Sequence, residues 1–255
     1  MIKKYCNSLT KYSRWKTREV FIGSVGIGGD QPIRLQSMTT TDTMNTEATV
    51  DQCIKMIDAG CELIRITTPS KKEAQNLQNI KDLLLKKGYR QPLIADVHYT
   101  PNAAEIAAKI VEKVRINPGN YADKKRFQKI EYTDDEYNLE IERIKFKLMP
   151  LIKISKEHNT VIRIGTNHGS LSDRILSRYG DTPEGMVESA MEFVRIFSSE
   201  NHHQLVLSMK SSNPKVMIAA YRLLVFQMKK EKMNYPLHLG VTEAGDGIDG
   251  RIKSA

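Results

Sequence analysis

Seven short apolar runs, at residues 33–37, 63–67, 92–98, 114–117, 161–167, 205–209 and 237–243, alternate with stretches of helical pattern. The punctuation between them is chemical. Residues 47–59 carry Val50, Ile54 and Ile57 on one helical face and stop at Gly60. Ser70 and Glu73 form a capping box, and Thr100-Pro101, Thr182-Pro183 and Asn213-Pro214 each read as an N-cap followed by proline at the first helical position. Such alternation predicts parallel βαβ units. Two folds then compete, a doubly wound open sheet and a barrel. An open sheet usually carries a glycine-rich phosphate loop after its first strand. The pattern from Gly23 to Gly29 lacks the Lys-Ser/Thr and the following helix that such a loop needs. A barrel instead gathers functional residues from the C-terminal ends of many strands, as this chain does. The reading is an α/β protein with a TIM-type (β/α)₈ barrel over residues 17–255. Residues 17–33 form a β-hairpin before the barrel, and residues 1–16 a basic tail. A closed barrel needs eight strands, so the expectation is a barrel truncated after its seventh. Residues 121–147 hold seven basic and seven acidic residues and read as an extended lead-in to one long helix, with Pro150 as its expected kink.

The polar residues at the strand ends carry the chemistry. Arg65, Arg115 and Arg163 recur as Arg-Ile in three separate strands, and Lys210 ends a fourth. In VRINPGN, Arg115 and Asn117 share one strand face, as do Asp96 and His98 in ADVH. A buried guanidinium is costly unless something anionic meets it. Asp96 and Glu243 are too few to neutralise four cations from four strands. A diphosphate or bisphosphate fits, because arginine binds it as a planar fork. Asp96 and His98 read either as a general acid/base pair or as metal ligands, and no further His or carboxylate stands at a helical ligand spacing. Glu243 sits among glycines at a strand end, the usual place for a catalytic carboxylate. Asn167 and His168 follow Arg163, and His238 lies lower in the seventh strand. The residues alone reach a barrel enzyme acting on a phosphorylated small molecule.

Charge and cysteine content remove other classes. Of the net charge of +9, six units come from Lys3, Lys4, Lys11, Arg14, Lys16 and Arg18, with no acid among the first 18 residues. The rest of the chain is close to balanced, which argues against a nucleic-acid face. The basic start reads as a frayed terminus, with a short organelle-targeting segment as the other reading. No apolar run approaches the roughly 20 residues of a membrane helix. Cys6, Cys53 and Cys61 form no C-x-x-C pair, so no metal site is expected in this chain, and a reducing compartment fits. Cys53 and Cys61 read as buried structural thiols.

The strings PIRLQSMTTTDT, RITTPS, LIADVHY, KVRINPGN, VIRIGTNHGSL, YGDTPEGMVESAMEF, LVLSMKSSN and PLHLGVTEAG, in this order over residues 17–255, closely resemble the barrel domain of the hydroxymethylbutenyl diphosphate synthases of the non-mevalonate isoprenoid pathway. Dihydropteroate synthase-like, pterin-binding transferases share the architecture but not these strings. The resemblance implies a cyclic diphosphate substrate, 2-C-methyl-D-erythritol 2,4-cyclodiphosphate, reductively opened to 4-hydroxy-3-methylbut-2-enyl diphosphate. It implies a 4Fe-4S cluster held by three cysteines and a glutamate in a separate C-terminal domain, fed by ferredoxin or flavodoxin. It also implies a homodimer in which that domain caps the partner's barrel. By motif match, Arg65, Arg115, Arg163 and Lys210 clamp the diphosphate, and Asn117 and Asn167 add hydrogen bonds. Asp96 and His98 sit beside the pocket, and Glu243 contacts the substrate hydroxyls and delivers a proton. The cluster ligands and an Arg-x-Ser of the eighth strand are not in this sequence, so the chain alone is expected to be an inactive, non-catalytic fragment. The setting implied is bacterial cytoplasm or plastid stroma, and the segment at 121–147 resembles the larger form of the family, which carries an extra domain.

Overall fold

The computed structural model describes residues 8, 10–121, 131–241, 244–245 and 247–254. It begins with an antiparallel hairpin, β1 (Glu19–Ile22) and β2 (Val25–Gly28), in register from Glu19 opposite Gly28 to Ile22 opposite Val25. The two-residue turn starts at Gly23, whose φ of 56° favours a residue without a side chain. Side chains alternate, so Val20 and Ile22 point the same way. They pack with Leu63, Ile94, Val161 and Val206, residues at or next to the starts of four later strands. The hairpin therefore plugs the N-terminal end of the sheet, and the opposite end is left as the mouth.

The sheet is six-stranded and parallel: β3 (Gln36–Met38), β4 (Leu63–Thr67), β5 (Leu93–Asp96), β6 (Lys113–Ile116), β7 (Val161–Asn167) and β8 (Leu205–Lys210), in chain order. The crossovers are α1 (Thr46–Asp58), α2 (Lys71–Lys86), α3 (Pro101–Ala108), α5 (Asp134–Glu157) and α7 (Pro183–Ser199), and α8 (Pro214–Lys230) follows β8. Every residue of β5 and β6 is buried, as expected for strands covered by helices outside and by other strands inside. The sheet curls on itself: Lys113 Nζ on β6 donates to Gln36 Oε1 on β3 at 3.0 Å, across a lumen that two intervening strands wrap around. The capping boxes expected at Ser70 and present at Thr133 are both formed, and α5 runs 24 residues with Pro150 inside it. Among the described residues, no helix is long and apolar enough to cross a membrane.

Several expectations change. Over its described residues, 237–241, the seventh strand expected over 237–243 is one parallel bridge from Leu237 to Leu207, secured by His238 N–H to Leu207 O at 2.8 Å. It has a ladder on one side only, and Gly240 within it adds backbone entropy and no packing, so pairing stops early. The first barrel strand pairs over Gln36–Met38 rather than 33–37, since β4 supplies register partners only from Gln36 onward. Thr100 stands at the N-cap of α3 with Pro101 following, as expected, but its side chain makes no capping bond; its hydroxyl donates to Pro69 O at 3.2 Å instead. Two short helices, α4 (Pro118–Tyr121) and α6 (Asp173–Tyr179), lie between the strands and the long helices that follow β6 and β7. Trp15, in the expected frayed tail, packs against the main core. The last described element is α9 (Gly247–Ser254).

Candidate active site

Parallel register sets the cations side by side. Asp96 on β5 pairs with Arg115 on β6, and Arg115 pairs with Arg163 on β7. One row lower, toward the plugged end, Arg65 on β4 pairs with Ile94, and Ile94 pairs with Lys113. Side chains in register on neighbouring strands face the same side, so both rows point into the lumen.

Asp96 is the hub. Its Oδ2 accepts from Arg65 Nη2 and, at 2.8 Å, from His98 Nε2, and its Oδ1 accepts from Arg115 Nη1 at 3.3 Å. Burial pushes this carboxyl upward, but the His98 hydrogen bond and the charges of Arg65, Arg115 and Arg163 overcome it and hold Asp96 ionised well below the usual carboxylate range. Arg115 completes its fork with Gly165 O at 2.9 Å. A Cβ at Gly165 would stand 2.6 Å from Arg115 Nε and 3.2 Å from Arg163 Nη1, so the missing side chain is what lets two guanidinium groups cross β7.

Arg163 is 1% exposed, and its Nη1 donates to Ser208 Oγ at 2.8 Å. Its Nε and Nη2 find no hydrogen-bond partner among the described residues. Burial first, then Arg65 and Arg115, disfavour its charged form. A guanidinium does not lose its proton in a protein, so the strain is relieved by an anion rather than by titration. Lys210 reaches from β8 over Gly240, its Nζ 3.3 Å from where a Cβ would lie. Burial and the charges of Arg163, Arg65 and Arg115 bring its amine down to about 7. His238 is pushed far below its usual range by burial and then by Arg163, Lys113 and Lys210, which makes it a neutral imidazole in the lumen. Asn117 donates to Ser170 Oγ at 2.7 Å, while its Oδ1 and that of Asn167 are buried with no partner among the described residues.

A cavity of about 780 Å³ opens between β3 and the 236–240 segment, and Gln36, Arg65, Lys113, Lys210 and His238 line it. The bonds of Asp96 bring Arg65, His98 and Arg115 together with Arg163 in electrostatic reach, Lys210 shares the cavity with Arg65, and Asn117 and Asn167 turn unsatisfied amide oxygens at the strand ends; Asp96, His98, Arg115 and Arg163 are not among the residues that line the cavity. Glu243 lies outside the described residues. Three contributors escaped the sequence reading: Lys113, Gly165 and Ser208. For Lys113 and Ser208 a signal existed, since each stands two residues before a recognised cation on the same strand face.

The cysteines do not fit an iron–sulfur cluster. Cys53 is buried in α1 and its thiol is pushed up to about 12 by burial. Cys61 is half-buried rather than fully buried, and Ser37 N–H donates to its Sγ at 3.1 Å. Among the described residues no three His, Cys, Asp or Glu side chains gather as a metal site.

Comparison with known proteins decides the family. The family described as the GcpE TIM-barrel domain matches residues 17–255. This chain belongs to that family. Similar curated proteins are named 4-hydroxy-3-methylbut-2-en-1-yl diphosphate synthase (flavodoxin). The one from Phocaeicola vulgatus is 59% identical over 248 residues, covering 97% of this chain and 40% of its own length. The one from Akkermansia muciniphila is 56% identical over 257 residues, covering 100% and 44%. The chain thus spans well under half the length of these relatives. Among solved structures, Plasmodium falciparum HPPK-DHPS matches 89% of this chain and 40% of its own with a TM-score of 0.52 at 10% identity, a likeness of fold alone.

Proposed function

We propose that this barrel binds 2-C-methyl-D-erythritol 2,4-cyclodiphosphate and holds it for reductive opening to 4-hydroxy-3-methylbut-2-enyl diphosphate. The observation that carries the reading is the charge imbalance in the lumen: Arg65, Arg115, Arg163 and Lys210 face one carboxylate, Asp96, among the described residues. The names of the relatives point to the same chemistry.

In this reading Arg163 Nε and Nη2 and the Lys210 ammonium hold the diphosphate, and Arg115 and Arg65, fixed by Asp96, present their remaining donors toward it. Two electrons break a ring C–O bond, the oxygen stays with phosphorus, and a hydroxyl leaves as water after taking a proton. The diphosphate gains negative charge as the ring opens. Donors already in place stabilise that charge where it develops, without reorganising. His98 Nε2–H is held by Asp96, which fixes the ring at the mouth. Glu243 is the proposed proton donor to the departing hydroxyl. Asn117 and Asn167 Oδ1 accept from substrate hydroxyls. When bound elsewhere in the full-length protein, a 4Fe-4S cluster would supply the electrons. The described residues do not fit it, and no step through it is assigned to them. Flavodoxin is the favoured donor over ferredoxin because the relatives are named for it. A homodimer in a bacterial cytoplasm, with residues 1–16 as an appendage to the barrel unit, completes the proposal.

The test is Arg115→Ala in the full-length protein with a chemical reductant. Turnover is expected to fall by about 10²–10³, the range for removing one such donor, while the visible absorbance of the cluster persists. Undiminished turnover would remove the clamp.

A further inference from the structure

Lys113 is the cation that this reading leaves unused. It is 1% exposed, and its Nζ holds only a neutral amide, Gln36 Oε1 at 3.0 Å. Two partly buried cations outside the lumen show the usual arrangement: Lys81 meets Glu112 at 2.6 Å, and Arg195 meets both Glu188 and Glu231. Lys113 has no carboxylate within ion-pair distance among the described residues. The lumen carboxylate among the described residues, Asp96, is already occupied by Arg65, Arg115 and His98. An ammonium sealed from water with one neutral acceptor is a costly arrangement unless an anion joins it. Lys113 also stands two residues before Arg115 on the same face of β6, about 7 Å deeper, and lines the same cavity as Arg65 and Lys210.

We propose that Lys113 is a further ligand-binding residue, whose ammonium faces the deeper phosphoryl group of the diphosphate held by Arg163 and Lys210. The inference rests on the proposed diphosphate site and adds its floor. In the ligand-free barrel, burial and the charges of Arg163 and Arg65 hold the amine well below its usual range. The groups around it are Gln36 on β3, Arg65 on β4, Asp96 on β5, Arg163 on β7, Lys210 on β8 and the neutral His238. None but Asp96 is an acid, so an entering anion shifts Lys113 toward ammonium and the complex takes up a proton.

The test is calorimetric titration of inorganic pyrophosphate into the full-length protein, in two buffers of different ionisation enthalpy, for the wild type, Lys113→Met, Lys113→Gln and Arg163→Met. Lys113→Met is expected to bind about tenfold more weakly and to take up fewer protons, with a ligand-free melting temperature no lower than wild type, because a buried amine that must give up its proton on folding is gone. Lys113→Gln keeps a donor to Gln36 and guards against a packing defect; it is expected to show the same two losses. Wild-type affinity and proton uptake in a folded Lys113 variant, with Arg163→Met impaired, would overturn the role of Lys113 alone. No pyrophosphate binding by the wild type would overturn the diphosphate site itself, and Lys113 with it.

Discussion

Arginine is buried in two regions of this protein, and the two are wired differently. Between α5, α6 and α7, Arg174 is 3% exposed and meets Glu192 through two bonds, at 2.8 and 2.7 Å. Tyr137 donates its hydroxyl to the same carboxylate, and its ring lies 4.5 Å from the Arg174 guanidinium carbon. That cluster is balanced: Arg174 has its own carboxylate, and Arg178, whose guanidinium carbon lies 4.3 Å from the same ring, pairs with Asp134. In the lumen, Arg115 and Arg163 are as deeply buried, but Asp96 serves Arg65, Arg115 and His98 at once, and Arg163 has a serine in place of a carboxylate. Burial alone therefore says little about what an arginine is for. The local charge balance separates a strut from a site.

The comparison breaks first on stability. Arg174→Met leaves Glu192 buried without its cation, and is expected to cost about 3–5 kcal/mol by denaturant titration while ligand affinity in the folded protein stays unchanged. A cost below 1 kcal/mol would mean that the balanced cluster is not a strut. A smaller effect sharpens the contrast through pH. Lys210 has a folded-state value of about 7 against an ordinary 10.5, lowered by burial and then by Arg163, Arg65 and Arg115. Between those two values the unfolded chain binds more protons than the folded one, so the stability of the ligand-free protein rises with pH across that window. Thermal melts from pH 7 to 10 are expected to show that rise, to lose part of it in Lys210→Met and to lose it with pyrophosphate bound. An unchanged slope in Lys210→Met would place the titration elsewhere.

Much of this was legible in the residues because strand periodicity and charge are local properties. The run Leu63–Thr67 and the run Val161–Asn167 form strands with the bounds that their apolar content suggests, and Arg65 and Arg163 fall on the lumen face that alternation assigns. What stayed hidden depended on partners far away in sequence. The 237–243 run has strand composition, yet a ladder needs neighbours, and Leu237 finds one only in Leu207. Lys113 shares the lumen face with Arg115, but only the curl that brings β3 opposite β6 seals it over Gln36. Asp96 and His98 share one face as alternation assigns and are bonded to each other, but the two arginines that Asp96 also holds come from other strands and leave no mark in its own. Gly165 carries no charge to notice, and matters because two guanidinium groups pass where its side chain would be.

The most direct test is calorimetric binding of 2-C-methyl-D-erythritol 2,4-cyclodiphosphate to the full-length protein beside its Arg163→Met and Arg174→Met variants, below their melting temperatures. The account expects wild-type affinity in Arg174→Met and a loss of at least about tenfold in Arg163→Met, the worth of a charge-assisted hydrogen bond. Equal binding by Arg163→Met and wild type, or no binding by the wild type, would contradict it.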